Sequence, residues 1–179
     1  MTVSELINKN EKTAFSFEVL PPVKGTGTSA LFSTIDALKE FGPEYINITT
    51  HRSEYVYVEQ PDGTYLRHFM RRRPGTVAVA SAIMQKYGIK VVPHVVVSGM
   101  TKEDIEYMLL DLQFLGIQDI LVLRGDKAKD EARFQPVKDG YSHATELIEQ
   151  VNLFNEGKFI DGTLIKNPGA PFSYGVAAY

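Results

Sequence analysis

Apolar and polar positions along this chain change period in a regular order. Residues Thr13 to Leu20 (TAFSFEVL) concentrate aromatic and aliphatic side chains and run into Pro21-Pro22. Prolines have no N–H for a ladder, so a strand with an abrupt end is predicted. The period then lengthens: Leu31, Ile35, Leu38 and Phe41 recur at helical spacing, Thr28 or Ser29 stands where a cap is needed, and Gly42-Pro43 stops the helix. Tyr45 to Thr49 (YINIT) predicts a second strand. Thr50 to Gly75 is irregular and polar, with a turn signal at Pro61-Asp62-Gly63, and reads as a long insertion before a helix over Thr76 to Tyr87 that Gly88 ends.

The run Ile89 to Val97 (IKVVPHVVV) is almost wholly apolar, as a strand buried on both faces requires, with Pro93 as an irregularity. Thr101 to Leu115 follows as a helix opened by a capping box, Thr101-Lys102-Glu103-Asp104. Asp119 to Arg124 (DILVLR) predicts a fourth strand. Ser142 to Phe154 predicts a fourth helix, with Ala144, Leu147, Ile148, Val151 and Phe154 on one face. Asn155 to Pro171 is a connection bearing Gly and Pro, with room for a small hairpin at Asp161-Gly162, and Phe172 to Tyr179 (FSYGVAAY) reads as a fifth strand. Residues 1–12 read as an N-terminal extension or short helix, and 1–179 as a single domain.

Strands alternating with helices imply an α/β fold with right-handed crossovers and a parallel sheet. Polar residues stand at the strand ends: Glu18, Thr49 and Thr50, His94, then Arg124 and Asp126. A (β/α)8 TIM barrel builds its site from such positions, whereas a doubly wound sheet places a Gly-rich loop after its first strand, and Pro21-Pro22-Val23-Lys24 is not one. A full barrel takes about 250 residues and eight strands, so the expectation is an incomplete barrel of about five strands and four helices.

Composition narrows the function. The 19 basic and 22 acidic residues give a formal charge of −3 without long runs of one sign, which leaves no footprint for nucleic acid. Arg71-Arg72-Arg73 is the local exception, read as a solvated loop or helix end rather than a phosphate clamp. The absence of cysteine removes disulfides, thiolate metal sites and a cysteine nucleophile. Without a signal-like segment or an apolar run long enough to span a bilayer, a cytoplasmic protein with no membrane partner is expected.

Three places carry chemistry. Glu18 follows Phe15 and Phe17 and precedes two prolines, which reads either as a carboxyl in a partly dry mouth that holds its proton near neutral pH or as a strand-end carboxylate paired with an arginine. His94, in VVPHVVV, is either a hydrogen-bonded core histidine or a ligand contact at a strand end. His51, His68 and His143 lack the spacing that would gather them with it on a metal, so no metal site is expected. In Leu123-Arg124-Gly125-Asp126, Gly125 lets the backbone approach a flat cofactor, Arg124 suits a phosphate or electron-rich ring, and Asp126 suits a polar ring edge. An internal Arg-Asp pair closing the turn fits the same residues.

Taken in order, FSFEVLPP, YINITTH, VVPHVVV, ILVLRGD and GVAAY resemble the successive barrel strands of methylenetetrahydrofolate reductases, over roughly Thr13 to Tyr179. The resemblance implies a flavoprotein of one-carbon metabolism in which NADH or NADPH reduces bound FAD, which then reduces 5,10-methylenetetrahydrofolate to 5-methyltetrahydrofolate. It implies Glu18 as general acid and Asp126 as a second catalytic residue beside flavin and folate. It also implies Thr49, His94, Arg124, Gly125, Asp126, Ala177 and Tyr179 as the flavin-binding set. The family's later cofactor contacts and a folate-binding glutamine have no counterpart before Tyr179, so the expectation is either a truncation or a missing half that comes from another chain, and a homo-oligomer is expected. The alternative is a non-catalytic half-barrel that binds flavin or folate.

Overall fold

Alternation with a period of two decides how the sheet of this protein is covered. In the structure, a computed structural model that describes residues 1–9, 13–128 and 131–177, five parallel strands lie in the order β1-β2-β5-β6-β7. These are β1 (Ser16–Val19), β2 (Tyr45–Ile48), β5 (Lys90–Val96), β6 (Asp119–Leu123) and β7 (Ser173–Val176). The helices α2 (Ser29–Leu38), α3 (Thr76–Tyr87), α4 (Lys102–Phe114) and α5 (Ala144–Asn155) make the crossovers, and a short helix α1 (Val3–Lys9) precedes them. Spatial order follows chain order with no reversal, the arrangement of an arc of barrel rather than of a doubly wound sheet.

Val19, Ile46, Ile48, Val91, Val95, Val97, Ile120 and Val122 project from the helix-facing side of the strands into one core. Ile35, Ile83, Ile105, Leu109 and Leu147 meet them from the helices, and each of these is fully buried. The intervening positions, Glu18, Thr49, His94, Val96, Ser98, Leu121 and Leu123, therefore fall on the opposite face of the sheet. Burial of β5 on both faces explains its almost wholly apolar run. Pro93 does not interrupt it: it pairs with Ile48 of β2, because the fixed φ of proline is compatible with extended backbone and only one N–H is lost.

At the N-terminal ends of the strands Asp119 is almost wholly buried, accepts a hydrogen bond from the Val3 N–H at 2.7 Å and pairs with Lys90 at 3.0 Å. This ties α1 beneath β5 and β6. The capping box at the start of α4 forms as predicted, with the Thr101 hydroxyl accepting from the Asp104 N–H at 3.0 Å and the Thr101 N–H donating to Asp104 at 2.9 Å. Thr28 caps α2 by position but makes no side-chain hydrogen bond there. Across Asp161-Gly162 a small turn closes, with Phe159 and Thr163 hydrogen bonded and a bridge from Lys158 to Leu164.

Two expectations need correcting. The stretch 50–75, read as irregular, contains an antiparallel hairpin, β3 (Glu54–Glu59) and β4 (Tyr65–Met70), turning at Pro61-Asp62-Gly63. Its sequence concealed it because Tyr55, Val56, Tyr57 and Val58 place apolar groups on both faces, erasing the polar alternation that marks a half-buried strand. The arginine triplet is more than a solvated segment: the Arg72 carbonyl accepts from the Lys24 N–H at 2.8 Å, Arg72 lies 3.4 Å from Glu54, and Arg73 donates to the Pro21 carbonyl. Those contacts hold the base of the hairpin to the loop after β1. The fifth strand is shorter than predicted, and Tyr179 lies outside the described residues.

Candidate functional site

Because the strands are parallel, the carboxyl ends of β1, β2, β5, β6 and β7 open on the same side. A cleft of about 1290 Å³ lies there, lined by Glu18, Thr49, His94, Arg124, Gly125, Asp126 and Ala177, together with side chains of the intervening loops. The seven sequence-derived candidates among the described residues therefore line one cleft.

Glu18 and His94 approach each other across β2. The His94 Nε2 lies 3.5 Å from a Glu18 carboxylate oxygen, too long for a firm hydrogen bond, and has no other partner among the described residues. The histidine side chain is only 6% exposed, whereas that of Glu18 is 58% exposed. The surroundings of Glu18 are thus open rather than partly dry, since among the described residues β1 is an edge strand and Glu18 lies on the open side of the cleft. Burial pushes the His94 imidazole below its usual value of 6.5, and the Glu18 charge opposes that shift only in part. The His94 carbonyl is held by the Thr50 hydroxyl, which also meets Thr76 at 2.6 Å at the start of α3.

The turn after β6 is constrained at one residue. Gly125 has φ +79°, and a Cβ there would stand 2.9 Å from the Cβ of Ser98, so both conformation and space require glycine. The Ser98 hydroxyl donates to the Asp126 carbonyl at 2.6 Å and fixes the turn against β5. The internal Arg-Asp pair considered from the sequence does not form: Arg124 lies 5.0 Å from the Phe134 ring centroid, and no ion pair joins it to Asp126. Both side chains are exposed to the cleft.

Sequence reasoning missed what holds the loops together. Arg52 after β2 and Glu131 after β6 form a two-pronged ion pair at 3.2 and 3.3 Å. The Ala128 N–H, and then the Arg52 guanidinium, hold the Glu131 carboxyl below the usual carboxylate range. Seventy-nine positions separate the partners, so no local pattern marks them. The Arg52 stem also packs over Gly99, where a Cβ would meet Arg52 Cγ at 2.7 Å.

A family model described as methylenetetrahydrofolate reductase matches residues 2–179. The chain is similar to "Methylenetetrahydrofolate reductase (NADH) 1" of Arabidopsis thaliana, 26% identical over 145 residues that cover 81% of this chain and 22% of that protein. It is similar to "Methylenetetrahydrofolate reductase 2" of Saccharomyces cerevisiae, 26% identical over 184 residues, 100% of this chain and 26% of that protein. It also resembles "5,10-methylenetetrahydrofolate reductase" of Buchnera aphidicola, 28% identical over 121 residues, 68% of this chain and 36% of that protein. The chain spans less than half the length of each of these relatives.

Proposed function

Starting from a chain that belongs to the methylenetetrahydrofolate reductase family, we propose that its cleft forms part of a flavin and folate site in a (β/α)8 barrel. The reaction is reduction of 5,10-methylenetetrahydrofolate to 5-methyltetrahydrofolate. The electron donor is NADH, the cofactor in the plant relative's name. The observation that carries this reading is the convergence of Glu18, Thr49, His94, Arg124, Gly125, Asp126 and Ala177 on one cleft.

Two features fit a flat cofactor: a turn at Gly125 with no space for a Cβ, and the unpartnered, buried Nε2 of His94. Thr49, His94, Arg124, Gly125, Asp126 and Ala177 would hold FAD, with Tyr179 beyond the described residues. When bound, the flavin supplies the redox chemistry between the nicotinamide and the folate. Glu18 is the general acid in this reading, delivering a proton to the folate ring nitrogen as the five-membered ring opens. His94, kept neutral by burial, stands beside Glu18 as an uncharged imidazole and adds no competing positive charge. The carboxylate of Asp126, on the opposite flank of the cleft, favours the cationic form of the opened folate over its neutral precursor.

Glu18→Gln separates these roles. The variant is expected to bind FAD and lose its colour with NADH as the wild type does, while recovery of colour with methylenetetrahydrofolate slows by about 10²- to 10⁴-fold, the usual share of a general acid. Unchanged recovery would remove Glu18 from the reaction.

A further inference from the structure

The proposed reaction leaves one wall of the cleft without a task. The β3–β4 hairpin stands over the opening and contributes Tyr55 and Tyr57 to the cleft lining. These residues are two apart in a strand and so share a face, and both keep much of their ring surface open, at 46% and 60% exposure. Arg67 is the direct cross-strand partner of Tyr57 and belongs to that face. Its guanidinium lies 4.2 Å from the Tyr55 ring centroid, and no carboxylate among the described residues forms an ion pair with it. Glu59, the next residue on the same face, stands nearer the tip beside Tyr65. The surface therefore presents the rings of Tyr55 and Tyr57 with the Arg67 cation beside them, and Glu59 with Tyr65 at the tip.

We propose that the Tyr55–Tyr57–Arg67 face is a ligand subsite for a planar aromatic ring joined to an anionic tail. The ring lies against the tyrosines and the anion meets the outward donors of Arg67, while Glu59 keeps the anion from sliding toward the tip. Arg67 is suited to this because a guanidinium stacked on an aromatic ring keeps its edge N–H groups available to an oxyanion. The hairpin is held at its base through Arg72 and Arg73, so this face is carried at a fixed end beside the cleft. The inference rests on the folate reading only for the source of the ligand: the aminobenzoyl ring and glutamate carboxylates of a folate have this chemistry. The adenine and phosphates of a dinucleotide share it.

The test is calorimetric titration of the full chain with 4-aminobenzoyl-glutamate and, in parallel, with ADP. Saturable binding of the first probe assigns the subsite to the folate tail, and of ADP alone to the nucleotide. Tyr57→Ser and Arg67→Gln are each expected to weaken the bound probe by about tenfold, in line with the loss of one stacking or charged contact. The Arg67→Gln variant should bind uncharged 4-aminobenzamide as the wild type does. Val58→Ser, on the other face of the hairpin, is the control for damage to its fold and should change nothing. Absence of saturable binding by either probe, wild-type affinity in both variants, or an equal loss in Val58→Ser would overturn the subsite. FAD titration of the same chain is a separate reading: probe binding without flavin binding would sink the flavin assignment and leave the subsite standing.

Discussion

His94 is neutral because burial disfavours its charged form more than Glu18 favours it. A histidine whose folded pKa lies below its unfolded value binds fewer protons when folded. Its contribution to stability is therefore constant well above pH 6.5, falls as pH drops through 6.5, and levels off below the depressed folded value. Urea unfolding at pH 7.5 and at pH 5.5 is expected to show a larger acid-induced loss for the wild type than for His94→Asn, and equal losses would remove His94 as the cause. Gly125 makes a second residue-scale claim. Gly125→Ala places a Cβ 2.9 Å from Ser98 in a left-handed conformation, so a loss of about 1–3 kcal/mol is expected in denaturant unfolding, with weakened flavin binding. A variant as stable as the wild type would show that the turn has room to shift. Neither effect can be read from the sequence in full: the Arg124-Gly125-Asp126 turn is visible there, but the approach of Ser98 depends on how β5 and β6 pair.

At the scale of elements, what the sequence revealed followed from contrast between faces. Helix α4 is bounded by a capping box whose two hydrogen bonds are local, and Thr101→Ala is expected to lower stability by about 1 kcal/mol, as measured by the urea midpoint. A shift indistinguishable from zero would mean that packing of Ile105, Leu109 and Leu112 alone defines that end. Strand β5 was legible for a related reason, since both of its faces are covered and its run is apolar apart from Lys90 and His94. The hairpin was not legible, because aromatic groups occupy one face and aliphatic groups the other, with neither packed into the core. The Arg52–Glu131 pair is set by the docking of two loops far apart in sequence. The buried Asp119 likewise acquires its partners Val3 and Lys90 only when the chain folds.

At the scale of the whole molecule, the period of two is what brings the candidate site together. Each strand gives alternate residues to the helix-facing core and to the cleft, so polar residues recognised singly at strand ends end up lining one cleft. Among the described residues β1 pairs only with β2, and β7 only with β6, which leaves two open parallel edges, with Tyr174 and Val176 exposed on β7. Such edges recruit further strands, and light scattering of the isolated chain is expected to show species larger than a monomer, while a clean monomer would contradict that expectation. No helix among the described residues is long and apolar enough to cross a membrane. Whether the cleft at the strand ends takes a flavin is read by the absorbance of the purified chain in the near-UV and blue bands during titration with FAD. Saturable perturbation of the flavin bands, weakened in Arg124→Ala and His94→Ala and bleached by NADH, is the predicted result. A flavin spectrum that stays that of free FAD at every protein concentration would contradict it.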